Sequence, residues 1–415
     1  MDTGDTAWLL VSSALVLFMT PGLALFYGGM VRAKNALGML MKNYVAMGIV
    51  TITWIVIGYT LAFGPDMGGG FLGGLDYIGL KGVSSNIEGE AGAIHATHAP
   101  DTVIMLFQMM FAIITPALIT GAIAERVKFT TWAVFTAIWS IVVYAPMAHW
   151  VWSSSGFIFA QIKAVDFAGG TVVHINAGAA ALAMVLVIGP RMGFRKEIIR
   201  PHSLPLTLLG AGMLWFGWFG FNAGSALAAN GLAANAFMTT QIAAAVAGTV
   251  WILAEQVTHG KATTLGFASG AVAGLVAITP CAGFVGPLAS VAIGGLAGVV
   301  CYAALQIKFM FNFDDALDVI AVHLVGGVLG SLLVGLFADS TINPATKDGL
   351  FLGGGMDQLV AQAIAVVIAF VFSFVVSFIL AKLLDVTMGL RVTPDEEQRG
   401  LDITLHEEQS YVMAE

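Results

Sequence analysis

Val173-His174-Ile-Asn-Ala-Gly178 and Val322-His323-Leu-Val-Gly-Gly327 are the two stretches from which the fold can be read. Each sets one imidazole in an apolar run, keeps a glycine four residues after its histidine, and follows an aspartate, Asp166 or Asp318. Ionisable side chains inside membrane-length apolar segments are rare and usually face a pathway. Two at matching places read as an internal repeat. On either side of these histidines, eleven apolar stretches approach or exceed the ~20 residues that cross a hydrocarbon core. They are 8–30, 44–63, 102–124, 129–152, 168–189, 203–226, 234–257, 263–279, 282–307, 317–338 and 357–386. The histidines are the seventh residues of the fifth and tenth. Spans one to five (8–189) and six to ten (203–338) then form two halves. Five is odd, so the second half enters from the opposite side and the repeat is inverted, which places a transporter's site near the midplane. The reading predicts an all-α polytopic membrane protein: eleven transmembrane helices, an inverted five-plus-five repeat and a C-terminal eleventh helix. The membrane domain covers 1–390 and a polar, acidic tail covers 391–415.

Composition agrees. Of 415 residues, 58% are hydrophobic and 10% charged, against about 25% charged in a soluble domain. That excludes a soluble enzyme, and it excludes disorder, which needs low hydrophobicity. Fifty glycines suit helices packed backbone to backbone. All 17 Lys+Arg except Lys81, Lys163 and Lys347 fall on one set of alternate loops and the C-terminal end. By the positive-inside rule the N-terminus lies outside and the tail in the cytoplasm. The acidic start Met-Asp-Thr-Gly-Asp lacks the basic region of a signal peptide, so no cleavage is expected. Cys281 and Cys301 read as small buried hydrophobes. A net charge of −8 is no nucleic-acid footprint. Phosphate-loop, zinc-protease and serine-hydrolase motifs are missing, so no enzyme activity is expected.

Away from the span ends the ionisable residues are His149, His174 and His323. With no acid or base near a span centre, neither a proton-pump relay nor a row of gating arginines is expected. Seven residues at 1.5 Å each carry His174 and His323 about 10 Å into a core of about 30 Å, from opposite faces. There the two rings could share one hydrogen bond, one donating and one accepting. The bland alternative is a pair of structural histidines bonded to carbonyls. Aromatic residues gather in Phe107-Gln108-x-x-Phe111, His149-Trp-Val-Trp152 and Trp215 to Ser225. They read either as an interfacial belt or as a cation–π cage with a serine acceptor. His95-x-x-His98 is a weak metal pair without a third ligand, and no metal or cofactor is expected.

These residues resemble the Amt/Mep/Rh ammonium transporter family, in its prokaryotic Amt branch. The resemblance runs through Phe26-Tyr-Gly-Gly-Met-Val-Arg32, Phe107-Gln-x-x-Phe111, Ala124-Glu-Arg126, Asp166-Phe-Ala-Gly-Gly-Thr-Val-Val-His174, Trp218-Phe-Gly-Phe-Asn-Ala-Gly-Ser225, Ile278-Thr-Pro280, Asp318-x-x-x-Val-His323 and Gly389-Leu-Arg-Val392. It implies a homotrimer in the inner (plasma) membrane with one pore per subunit. It makes Trp152, Ser225, Phe111 and Asp166 the outer ammonium vestibule, Phe111 and Phe221 a gate, and His174 and His323 the twin pore histidines. Asp166 reads equally well as a helix N-cap. Ammonium would be deprotonated outside and ammonia conducted; the resemblance leaves open whether the proton follows separately. A P-II-type signalling protein would bind the cytoplasmic face. The tail matches at Gly400-Leu401-Asp402 and His406-x-Glu408-x-x-Tyr411, but Glu407 stands where the family usually has glycine, whose positive φ a glutamate resists. That departure is expected to disturb the docking of the last residues. The alternatives are an ammonium sensor with little conduction, for which a fused signalling domain would be expected, and an Rh-like neutral gas channel, against which Trp152 and Ser225 argue.

Overall fold

A computed structural model of the chain describes residues 1–83, 94, 95 and 97–411. Among them all regular structure is helical, apart from two isolated bridges. Ten helices are long and apolar enough to cross a membrane: α1 (Thr3–Met30), α2 (Ala33–Phe63), α3 (Asp101–Ile119), α4 (Phe129–Trp152), α5 (Gly170–Ile188), α6 (Leu204–Gly224), α7 (Gly231–His259), α9 (Pro287–Met310), α10 (Ile320–Phe337) and α11 (Asp357–Met388). Between α7 and α9 lies α8 (Thr264–Ile278), a shorter apolar helix. The sequence reading separated its eighth and ninth spans by Pro280 and Cys281 alone. The chain in fact leaves helix at Ile278 and resumes at Pro287, because Pro280 cannot continue a helix and Pro287 suits a first turn.

Several helices start at side-chain caps. Asn230 accepts from Leu232 N and Ala233 N, and Thr263 accepts from Gly266 N at 2.9 Å. Each satisfies amides that the first turn leaves open. α1 and α6 cross so closely that a Cβ on Gly210 would lie 2.2 Å from the Phe26 amide. Burial sorts the bundle. The apolar windows of α3 and α5 are 89% and 83% buried, whereas that of α11 is 33% buried. α3 and α5 are therefore interior walls, and α11 turns Val360, Ile364, Val367, Val371 and Val375 outward.

One face, the basic face, carries Arg32, Arg126, Arg191 and the tail. Glu125 accepts from Arg32 N and Nε at 2.7 and 2.9 Å, and Arg191 holds Asp314 through two bonds of 2.8 and 2.9 Å. Burial alone would raise the Glu125 carboxyl, but Arg191 and Arg32 hold it below its ordinary range. The Ala124-Glu-Arg126 motif is thus a buried ion-pair clasp.

The tail docks on this clasp through α12 (Pro394–Arg399) and α13 (Leu401–His406); residues 412–415 lie outside the described residues. The Asp402 carboxylate accepts from Leu37 N at 3.0 Å and Gly38 N at 2.8 Å, capping α2. The Tyr411 hydroxyl meets His202 Nε2 at 3.0 Å. Glu407 corrects the expectation drawn from it. It takes the left-handed conformation, φ 55°, that a glycine would take, and the tail docks. The ~1–2 kcal/mol cost of that conformation is offset by the Asp402, Tyr411 and Arg391–Glu397 contacts.

Burial, then Lys42, push the His406 imidazole below its ordinary range, with Asp402 and Glu408 pulling the other way. A base whose value falls on docking opposes protonation while docked, so docking weakens as pH falls below the free imidazole value of about 6.5. Limited proteolysis of the tail should therefore quicken between about pH 8 and pH 5.5, and His406→Gln should flatten that dependence. An unchanged pH dependence in that variant would contradict it.

Candidate functional site

Three cavities follow one another through the bundle. The first, of about 100 Å³, is lined by Phe63, His95, Phe107, Gln108, Phe111, Trp152, Phe167, Ser225 and Leu227. The Trp152 indole donates to the Asp166 carbonyl at 3.1 Å, and its ring stands edge-on to Phe111 at 5.6 Å. The Ser225 hydroxyl donates to the Phe221 carbonyl at 2.9 Å. Its proton is thereby committed, and its oxygen can still accept. Phe111 and Phe221 lie 4.3 Å apart at 34°, closing the cavity floor.

Beneath them is a second space of only about 10 Å³, lined by His174, His323, Trp218 and Phe221 together with apolar side chains such as Leu23, Ile114 and Leu214. That is close to the ~10–15 Å³ one water-sized molecule needs. His174 Nδ1 and His323 Nδ1 are 3.2 Å apart. One must donate and the other accept, so the donating ring is left with a bare Nε2 and the accepting ring with an Nε2–H. The pair thus offers one acceptor and one donor at its free edge. His174 Nε2 is buried without a protein partner. Trp218 stacks on His174 at 5.5 Å and 18°, its indole anchored on Thr279 Oγ1 at 2.8 Å. His323 also lines the third cavity, of about 120 Å³, with Tyr27, Trp251, Glu255 and Asp318.

Both histidines sit in wide π-helical turns, Gly170–Ile175 and Ile320–Leu324, a form common at functional sites. Asp166 caps the first, accepting from Gly169 N, Gly170 N and Thr171 N at 2.7–2.8 Å. Gly169 has φ 120°, and a Cβ on Gly170 would lie 2.6 Å from Pro280, so this turn needs glycine at both places. Asp166 does not line the first cavity. Its carboxylate serves the backbone, and its carbonyl holds Trp152. The sequence reading paired Asp318 with Asp166, and that pairing is corrected. Asp315 is the residue that caps the second turn, accepting from Val319 N at 3.1 Å and Ile320 N at 2.7 Å. It stands eight residues before His323, as Asp166 stands eight before His174. That spacing was the available signal. Asp318 turns away with φ 62° and pairs with Lys308.

The first cavity also contains a residue the sequence had offered only as a weak metal ligand. His95 bonds the Tyr59 hydroxyl at 3.1 Å and packs on Phe63 at 4.8 Å. Burial pushes its imidazole down to about 4, so it adds no positive charge to that cavity near neutral pH. His98 is exposed. Among the described residues no three His, Cys, Asp or Glu side chains gather as a metal site. His149 is a structural histidine bonded to the Ala62 carbonyl at 2.8 Å.

Comparison with known proteins agrees across the whole length. The family model described as Ammonium Transporter Family matches residues 7–411. A Mycobacterium bovis protein named "Ammonium transporter" is 50% identical over 434 residues, covering 100% of this chain and 91% of that one. The crystal structure of Candida albicans Mep2 superposes with a TM-score of 0.88 at 35% identity, over 95% of this chain and 88% of that chain. A structure described as "Sensor Amt Protein" gives a TM-score of 0.88 at 31% identity, over 97% and 98%.

Proposed function

The chain belongs to the ammonium transporter family, a family of multi-span membrane transporters rather than enzymes, and from that premise we propose a division of labour along its three cavities. Ammonium is recruited in the first, where the Trp152 and Phe111 rings supply cation–π attraction and Ser225 an acceptor. It loses a proton there, and ammonia passes between Phe111 and Phe221 and along His174 and His323 to be reprotonated in the third. The observation that carries this reading is the water-sized space beside the hydrogen-bonded histidine pair, set between two larger cavities. A bare ion is expensive in such a conduit. Ammonia is cheaper and, as both donor and acceptor, matches both free edges of the pair. Potassium cannot shed a proton and is excluded. Asp166 supports the vestibule by holding Trp152.

Trp152→Leu removes the largest ring of the cage. At ~0.5–2 kcal/mol for a cation–π contact, apparent methylammonium affinity should fall ~2- to 30-fold, read as uptake by a transport-deficient cell. Unchanged affinity would contradict the vestibule assignment.

The finer architecture belongs to the same proposal. It comprises eleven crossings in an inverted five-plus-five repeat, a membrane domain over 1–390 and a regulatory tail over 391–415. The chain forms a homotrimer in the plasma membrane, N-terminus outside and basic face cytoplasmic, with a P-II-type protein binding that face. The two Asp-capped π-turns, each with its histidine eight residues on, support the repeat. The docked tail supports a regulated cytoplasmic face. A second reading, an ammonium sensor with little conduction, draws on the likeness to the protein described as a sensor. Ammonium-triggered transient currents on a solid-supported membrane, read beside uptake, separate the readings: current with uptake favours electrogenic transport, uptake without current a neutral gas channel, and neither a sensor.

A further inference from the structure

Lys308 lies at the junction between the third cavity and a basin of about 280 Å³ that opens on the basic face. Asp318 lines both spaces, whereas Lys308 and Phe309 line only the basin. The Lys308 ammonium donates to the Asp318 carboxylate at 2.6 Å and to the Asp315 carbonyl at 3.3 Å. It stands 5.4 Å from the centre of the Phe309 ring. Its side chain is only 15% exposed. A carboxylate, a carbonyl and an aromatic face are the groups that bind a free ammonium ion, and here they hold the chain's own ammonium.

We propose that the inner mouth contains a second ammonium site, formed by Asp318, the Asp315 carbonyl and Phe309, which Lys308 occupies and so closes to ammonium on the basic-face side. The site takes small cations of the R–NH3⁺ class. A tethered occupant competes at an effective concentration in the millimolar range, so free ammonium at lower concentration does not displace it. Asp318 suits this task. Its left-handed backbone turns it away from capping, which Asp315 performs, and toward the opening. The consequence is directional: ammonia leaving the histidine pair meets an acid already neutralised, and ammonium on the basic-face side finds no anchor from which to re-enter. The inference rests on the transport reading for its meaning, but the site itself is a matter of binding.

Equilibrium dialysis of labelled methylammonium against the purified full chain tests it. Lys308→Met should bind about one more methylammonium per chain than the wild type, through the charge-assisted contacts the lysine vacates. Lys308→Met with Asp318→Asn should return to the wild-type count, and Lys308→Arg should never leave it. If Lys308→Met does not fold, Lys308→Gln reads the same gain, since the amide carries no charge to neutralise Asp318. A Lys308→Met protein binding no more than wild type, or an extra site that survives Asp318→Asn, would overturn the inference. The count does not require conduction, so an inactive pore would tell against the transport reading while the extra site still decides this one.

Discussion

Replacing His174 and His323 together by leucine is expected to reduce ammonium and methylammonium uptake by ~30- to 1000-fold. The estimate follows from what the pair supplies. At the narrowest point the described walls are otherwise apolar, apart from an indole already committed to Thr279. A small polar molecule placed there without a hydrogen-bond partner loses ~2–4 kcal/mol relative to water, which enters the rate directly. The single variants sharpen the test. His174→Leu leaves the His323 Nδ1 facing no partner, and a lone buried polar atom costs more than the removal of both. The double variant should therefore be more thermally stable than His174→Leu while transporting no better. Wild-type uptake in the double variant would remove the histidines from the pathway.

Asp166→Ala is expected to cost ~3–5 kcal/mol of stability, because it leaves buried amides at Gly169, Gly170 and Thr171 without an acceptor at ~1–3 kcal/mol each. Against a whole-protein stability of ~5–15 kcal/mol, folded protein should become scarce. Asp166→Asn keeps one acceptor oxygen and should unfold between wild type and Asp166→Ala. Asp315→Ala should behave in the same way at the second turn, through Val319 and Ile320, whereas Asp318→Ala uncaps no turn and should cost stability only through the lost Lys308 pair. The series also separates the two roles open to Asp166. If Asp166→Ala keeps the wild-type melting temperature yet loses uptake, the carboxylate acts on the proton and the capping account fails.

These cases mark what could be read from the chain and what could not. The bilayer demands ~20 apolar residues per crossing, so the long helices announced themselves; Pro280 marked where one ended, but the next was read from Ala282 when it starts at Pro287. The histidine pair was legible because imidazoles are expensive in that setting. The close pairing of Phe111 and Phe221 was legible only through a resemblance, since an interfacial belt has the same composition. Asp315 was missed because Asp314, Asp315 and Asp318 crowd one short segment. Sequence adjacency favoured the wrong one, and only the backbone path decides which carboxylate faces the open amides. His95 lines the first cavity, but no periodicity around it in the sequence pointed there. Glu407 was judged by residue type alone, whereas several tail contacts together outweigh one left-handed residue. Lys308 looked like one more basic loop residue until its partners were seen.

The most direct test of the account is flux into proteoliposomes holding the purified chain, with ammonium and potassium gradients compared at the same driving force. The account predicts rapid ammonium-dependent movement, with internal pH rising wherever ammonia enters alone, and no potassium flux above that of empty vesicles. Equal permeation of the two ions, or no ammonium-dependent movement at all, would contradict it.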